Sequence, residues 1–119
     1  MKPQIDSTAF GSITIDGRQY HHDVLIRING EVEKRKKKLS KTIFGTSHIL
    51  SLDEAKFIYE KEARKVIIGT GQYGELVLSD EARAFLESKC EIEPMNTRKA
   101  IVAFNLCEQK VVGLFHVTC

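Results

Sequence analysis

Val66 to Ser79 reads V-I-I-G-T-G-Q-Y-G-E-L-V-L-S, and the fold turns on how its three glycines are read. Gly69, Gly71 and Gly74 spell G-x-G-x-x-G, the spacing of a dinucleotide-binding loop. Such a loop needs its last glycine to open straight onto a helix, so that a pyrophosphate meets free N–H groups at the helix start. Gly74 leads instead into Glu75-Leu76-Val77-Leu78, an extended apolar segment, and a helix is expected only after Ser79. The stretch is therefore read as a buried strand, Lys65 to Gly69, closing in a tight turn where Gly69 and Gly71 admit backbone that a side chain would block. No cofactor is expected.

Beyond this turn, Ser79 can cap a helix whose first turn carries Asp80 and Glu81, favourable at the positive end of the dipole. Its buried stripe would be Ala82, Phe85 and Leu86. Cys90 to Glu93 is a short strand, Thr97 is expected to cap a helix burying Ala100, Ile101 and Phe104, and Val111 to Val117 reads as a central strand. Before the turn, Ser51 and Glu54 form a capping box ahead of Leu52, Ala55, Ile58 and Tyr59 at helical spacing. Alternating strands and helices imply parallel strands with right-handed crossovers.

The first third alternates with period two. Tyr20, His22, Val24, Ile26 and Ile28 fall on one face of a half-buried strand, with His21, Asp23, Leu25 and Arg27 on the other. Phe10 to Ile15 is a shorter strand, and Asp16-Gly17 and Asn29-Gly30 are hairpin signals. The expected architecture is α/β: a three-layer single domain over residues 1–119, with a mixed sheet of parallel βαβ units (about 45–119) and an antiparallel N-terminal β extension (a meander at about 8–40).

With 119 residues, 42% hydrophobic and 29% charged, the chain can bury its own core. A net charge of +2 argues little for nucleic acid, but its placement is uneven: Lys34-Arg35-Lys36-Lys37-Lys38 is an unbroken cationic run. An apolar run long enough for a membrane span and a secretory signal core are both lacking, and Cys90, Cys107 and Cys119 form no C-x-x-C. A cytoplasmic location with reduced thiols is expected.

Three loops hold the candidate ligand site. Gly45-Thr46-Ser47-His48 precedes a helix, Gly69-Thr70-Gly71 follows a parallel strand, and Met95-Asn96-Thr97 follows another. In an open parallel sheet such loops gather at one edge, where ligands usually sit. Thr46, Ser47, His48, Gly69, Thr70, Gly71, Asn96 and Thr97 would then line a crevice for a small anionic ligand. A bulky residue at Gly71 would weaken that ligand without unfolding the protein.

Other chemistry is less supported. His116 and Cys119 fall on opposite faces of an extended strand, as do His21 and His22, so no metal site is expected. His116 is read as a half-buried histidine paired with a backbone group. Cys90 at a helix end disfavours a thiolate, Cys107 is read as packing, and only Cys119 keeps interest as a nucleophile. The basic run Lys34, Arg35, Lys36, Lys37 and Lys38 is read as extended, with charges on both faces and no aromatic inside it to stack on bases. Nucleic-acid binding through it is a second alternative and not the expected one. A solvated hairpin is preferred.

V-I-I-G-T-G at 66–71, P-M-N-T-x-x-A at 94–100, Phe104-Asn105 and a C-terminal apolar strand occur together in that order. In this the chain resembles the domain of unknown function 498 family, whose relatives include the adipogenesis-associated domain protein and mitochondrial complex I assembly factor 3. The resemblance spans nearly the whole chain. It implies a three-layer α/β fold and no agreed reaction, and relatives that act in assembly or regulation imply a protein partner. The leading expectation is accordingly a binding or assembly module without a catalytic set. A small-molecule protein or enzyme using the three-loop crevice is the alternative, and the oligomeric state is left open.

Overall fold

In the computed structural model, which describes residues 2–119, five strands precede the first helix: β1 (Ile5–Ala9), β2 (Ser12–Ile15), β3 (Arg18–Tyr20), β4 (Val24–Ile26) and β5 (Val32–Lys34). There follow α1 (Lys38–Phe44), β6 (Ile49–Leu50), α2 (Leu52–Ile58), β7 (Lys65–Thr70), β8 (Val77–Leu78), α3 (Asp80–Glu87), β9 (Glu91–Met95), α4 (Thr97–Leu106) and β10 (Val111–His116). The main sheet has the order β5-β4-β10-β7-β9. Within it β10, β7 and β9 run parallel, and β4 pairs antiparallel with β10. A separate antiparallel sheet holds β1-β2-β3, and β6 pairs parallel with β8. This is the expected α/β domain with a mixed sheet and antiparallel N-terminal strands.

The apolar strands need cover on both faces, and the sequence supplies it by alternation. Val66 and Ile68 of β7 and Val112 and Leu114 of β10 pack with Leu25 against α2 and α3, through Ala55, Ile58, Ala82 and Leu86. Ile67 and Phe115 turn the other way, toward Ala100 and Phe104 of α4 and toward Ile5, Ile13 and Ile15 of the small sheet. Phe104 and Phe115 meet edge to face at 5.6 Å between ring centroids. Every residue of β10 is buried.

Several local expectations are corrected. The strand proposed for Tyr20 to Ile28 bends at His21-His22, so β3 belongs to the small sheet and β4 to the main one. All three residues of β4 are buried, because a strand between β5 and β10 has core on both faces. The capping box at Ser51 is half formed: Ser51 Oγ accepts from the Glu54 N–H at 3.1 Å, but the Ser51 N–H donates to Ser40 Oγ. The Glu54 carboxylate is committed elsewhere. The cationic run is not extended, since β5 ends at Lys34 and α1 begins at Lys38.

At the start of α4 the cap is Asn96, whose Oδ1 accepts from the Lys99 N–H at 3.0 Å; Thr97, expected to be that cap, is the first helical residue. Its buried hydroxyl donates to the His116 carbonyl at 2.6 Å and accepts from the Gly71 N–H at 2.9 Å. Thr97→Val keeps the shape and strands both partners, so it is expected to cost about 2–3 kcal/mol in urea unfolding. Asn96→Ala, losing an exposed cap, should cost about 1 kcal/mol. Equal losses for the two would contradict this assignment.

Candidate functional site

The loop residues expected to form one crevice divide into two groups. Gly69, Thr70, Gly71, Asn96 and Thr97 do gather at the carboxyl edge of β7 and β9, but the space between them is filled by the protein. The Thr97 N–H donates to the Gly71 carbonyl at 3.0 Å. A Cβ at Gly69 would lie 2.8 Å from Thr97 Oγ1, and one at Gly71 would lie 2.3 Å from the carbonyl carbon of Cys119. The segment after β10 is stitched in by N–H groups of Gln72 to the Thr118 oxygen (2.7 Å) and of Tyr73 to the Cys119 oxygen (2.9 Å). Thr70 is buried, its carbonyl accepting from the Leu76 N–H at 3.0 Å.

Ser47 and His48 instead line a cleft of about 450 Å³ at the carboxyl end of β10. Thr46 stands just behind, its hydroxyl accepting from the His48 N–H at 3.1 Å. Register dictates what faces them. Phe115 pairs with Val24 across the antiparallel β10–β4 ladder, so Asp23, one residue earlier, comes opposite His116. The Val117 N–H and the His116 Nδ1–H donate to the two Asp23 oxygens, each at 2.8 Å. The pairing expected for His116 with a backbone group is thus replaced by a buried carboxylate.

A carboxylate so placed needs a cation, and Arg35 supplies it. Val24 pairs with Lys34, and the Arg35 N–H donates to the Asp23 carbonyl at 3.0 Å, so the guanidinium leaves the cationic run and turns inward. It donates to Asp23 Oδ2 at 3.0 Å, to the two Glu54 oxygens at 2.7 and 3.0 Å, and to the Ser47 carbonyl at 2.8 Å. The Ser40 hydroxyl also donates to Glu54. Arg35 is 4% exposed, so it is withdrawn from the basic patch assigned to residues 34–38. Burial works against its charge, but Glu54 and then Asp23 hold the guanidinium above its ordinary pKa. Burial likewise pushes the Asp23 carboxyl up; His116, the Val117 N–H and Arg35 together reverse this and hold it below the usual carboxylate range.

The remaining walls of the cleft are basic. Lys34, Lys37, His21 and His22 line it with His48 and His116. Among the described residues neither lysine takes part in an ion pair. The rings of His48 and His116 meet edge to face, 5.2 Å between centroids. Asp23 is the one acidic lining group, and Arg35, His116 and the Val117 N–H already engage its oxygens. Lys36 sits over the Phe57 ring at 4.7 Å, outside this lining. No cluster of three metal-ligating side chains occurs among the described residues, and no helix there is long and apolar enough to cross a membrane. Burial first, and then Glu91, raise the pKa of the Cys90 thiol, so the helix dipole is not needed to account for a poor nucleophile there.

Nothing local in the sequence marks Asp23 and His116 as a pair, because 93 positions separate them and their meeting depends on the β4–β10 pairing. For Arg35 a signal existed. It was off by one place: a two-residue Asn29-Gly30 hairpin would set Lys36 opposite Asp23, whereas the loop is 28–30, closed by the Arg27 N–H on the Glu31 carbonyl, and this register sets Arg35 there.

The model of the family described as "Protein of unknown function (DUF498/DUF598)" matches residues 5–116. The chain belongs to this family. A conserved hypothetical protein from Pyrococcus horikoshii OT3, PH1505, is a solved structure 31% identical to it, with 98% of this chain and 99% of that one covered and a TM-score of 0.91. A second, MT938, is 30% identical over 99% of this chain and 100% of that one, with a TM-score of 0.82. A Bordetella pertussis protein described as a Mth938-like domain shares the fold at 15% identity and a TM-score of 0.62, with coverage of 97% and 85%. No curated protein matches significantly. Membership in the DUF498/DUF598 family thus establishes the fold and assigns no reaction.

Proposed function

We propose that this domain is a binding module whose ligand is a small anion held in the cleft at the end of β10. One observation carries the reading: two lysines that form no ion pair among the described residues, and four histidines, line a concavity of about 450 Å³ whose single carboxylate is already engaged. That volume lies within the range of metabolite pockets. The anion site thus centres on Lys34, Lys37, Ser47, His48 and His116, away from the glycine turn. A small molecule is preferred to a protein as ligand because the cleft is concave and polar. The exposed apolar side chains, by contrast, are distributed in small groups: Ile43 and Phe44 on α1, Val77 on β8, Val102 and Leu106 on α4, and the paired rings of Phe10 and Tyr73 in turns.

Titration of inorganic phosphate or citrate, followed by amide chemical shifts, tests it. Shifts are expected at Ser47, His48 and Thr118. The Lys34→Ala, Lys37→Ala double variant should bind about tenfold more weakly, each rim charge contributing under about 1 kcal/mol. Shifts confined to Gly71 and Asn96, or an unchanged affinity in the double variant, would move the site elsewhere.

A further inference from the structure

The cleft floor carries one arrangement that anion binding alone does not require. The Asp23 carboxylate can only accept hydrogen bonds, so His116 must present Nδ1–H to it at 2.8 Å. In the neutral ring this leaves Nε2 without a proton, and Nε2 lies 3.2 Å from the Thr118 hydroxyl. The hydroxyl is therefore the donor, and its oxygen lone pairs are free of that bond. Thr118 lines the cleft together with His116. Residues 116 and 118 share one side of extended chain, so both side chains reach the same space. Hydroxyl, imidazole and buried carboxylate in this order form a nucleophile, a base and an orienting group, a constellation recognised by geometry on unrelated folds. The orienting carboxylate is fixed from behind by Arg35.

We propose that Thr118 is an acyl-accepting nucleophile for esters or thioesters that carry a second, anionic group. This deepens the anion-site reading and rests on it, since the lysine-lined cleft would hold the anionic group while the acyl carbon meets Thr118. In the first step Thr118 Oγ1 bonds to the carbonyl carbon and its proton passes to His116 Nε2. The bond to the leaving oxygen or sulfur then breaks with its electron pair, and the leaving group takes the proton from Nε2. In the second step water, deprotonated by Nε2, attacks the acyl-threonine; the carboxylic acid leaves and Thr118 recovers its proton. His48, packed against the His116 ring, and Lys37 are among the lining donors that would serve the intermediate oxyanion.

The probe is the mono-4-nitrophenyl ester of terephthalic acid, an activated acyl group whose free carboxylate is held too far away to attack it, incubated with the full chain. Release of 4-nitrophenolate and a mass increase of one terephthaloyl group mapped to Thr118 are expected. Thr118→Val should slow release about a hundredfold or more, and Thr118→Ser should stay within about tenfold of wild type. Phosphate titration of the same variants separates the two readings. Retained phosphate binding with no acylation, or with acylation mapped to a lysine or Cys119 and unaffected by Thr118→Val, overturns the nucleophile and leaves the anion site standing. Loss of phosphate binding in the wild type itself overturns both.

Discussion

Replacing Gly71 by valine is expected to lower the unfolding free energy by about 4 kcal/mol, much of the stability a domain of this size possesses. Two costs add. Gly71 has φ +109°, where an L residue is strained by about 1–3 kcal/mol. Its Cβ would also stand 2.3 Å from the Cys119 carbonyl carbon, 2.6 Å from its oxygen and 2.8 Å from His116 Cδ2. Backbone cannot step aside as a flexible side chain can, and such overpacking costs a further 1–3 kcal/mol or so. Thr97 holds the Gly71 N–H and carbonyl, closing the escape on the other side. Gly74→Ala is the control: φ is +70° there, but the nearest atom is Thr70 Oγ1 at 3.7 Å, so strain alone applies and about 1 kcal/mol is expected. Urea midpoints of both variants decide it. A Gly71→Val protein within 1 kcal/mol or so of wild type would contradict the packing described. The expectation that a bulky residue at Gly71 blunts a ligand while sparing the fold is thereby withdrawn.

The second large effect is expected at Arg35. Arg35→Ala should cost about 3–5 kcal/mol, because it leaves Glu54, fully buried, and Asp23, 6% exposed, without their shared cation. Lysine should rescue little. Nε and Nη2 donate to Glu54, Nη1 to Asp23, and Nη2 also to the Ser47 carbonyl, and an ammonium cannot reproduce that planar fork. Lys36→Ala and Lys38→Ala, on the exposed part of the run, should change stability by under about 0.5 kcal/mol. Urea unfolding of the set is the measurement. Equal, small losses across residues 34–38 would return Arg35 to the surface run.

How much of this was legible depends on how local each signal is. β7 and β10 were readable because Val66-Ile67-Ile68 and Val111 to Val117 are apolar without alternation, which only a strand covered on both faces tolerates. α3 was readable because Ser79 caps it and Asp80 and Glu81 follow. α1 was not: it is one of the shortest helices, its N-cap Lys37 makes no side-chain cap bond, and its first residue lies inside the lysine run. The candidate site was half legible. The loop 45–48 was found from its small polar residues beside a helix start, and its neighbours at 69–71 and 95–97 followed from strand-edge geometry. Sequence could not show that Thr97 and the segment after β10 fill the space between those two loops, because the hydrogen bonds from 71 to 97 need β7 and β9 paired and the one from 72 to 118 needs β10 in its place. Asp23 and His116 stayed hidden for the same reason.

The place of β10 also bears on how the chain acquires its fold during synthesis. Among the five strands of the main sheet β10 comes last in sequence, so until it is made the β4–β5 hairpin and the β7–β9 pair lack the strand that lies between them. Each offers an unpaired apolar edge in that interval, and pairings between residues so far apart in sequence are slow to form. A chain arrested before Val111 would hold two half-sheets with open sides, the kind of intermediate that aggregates or calls for a chaperone. Residues 111–116 then join the halves and cover both edges.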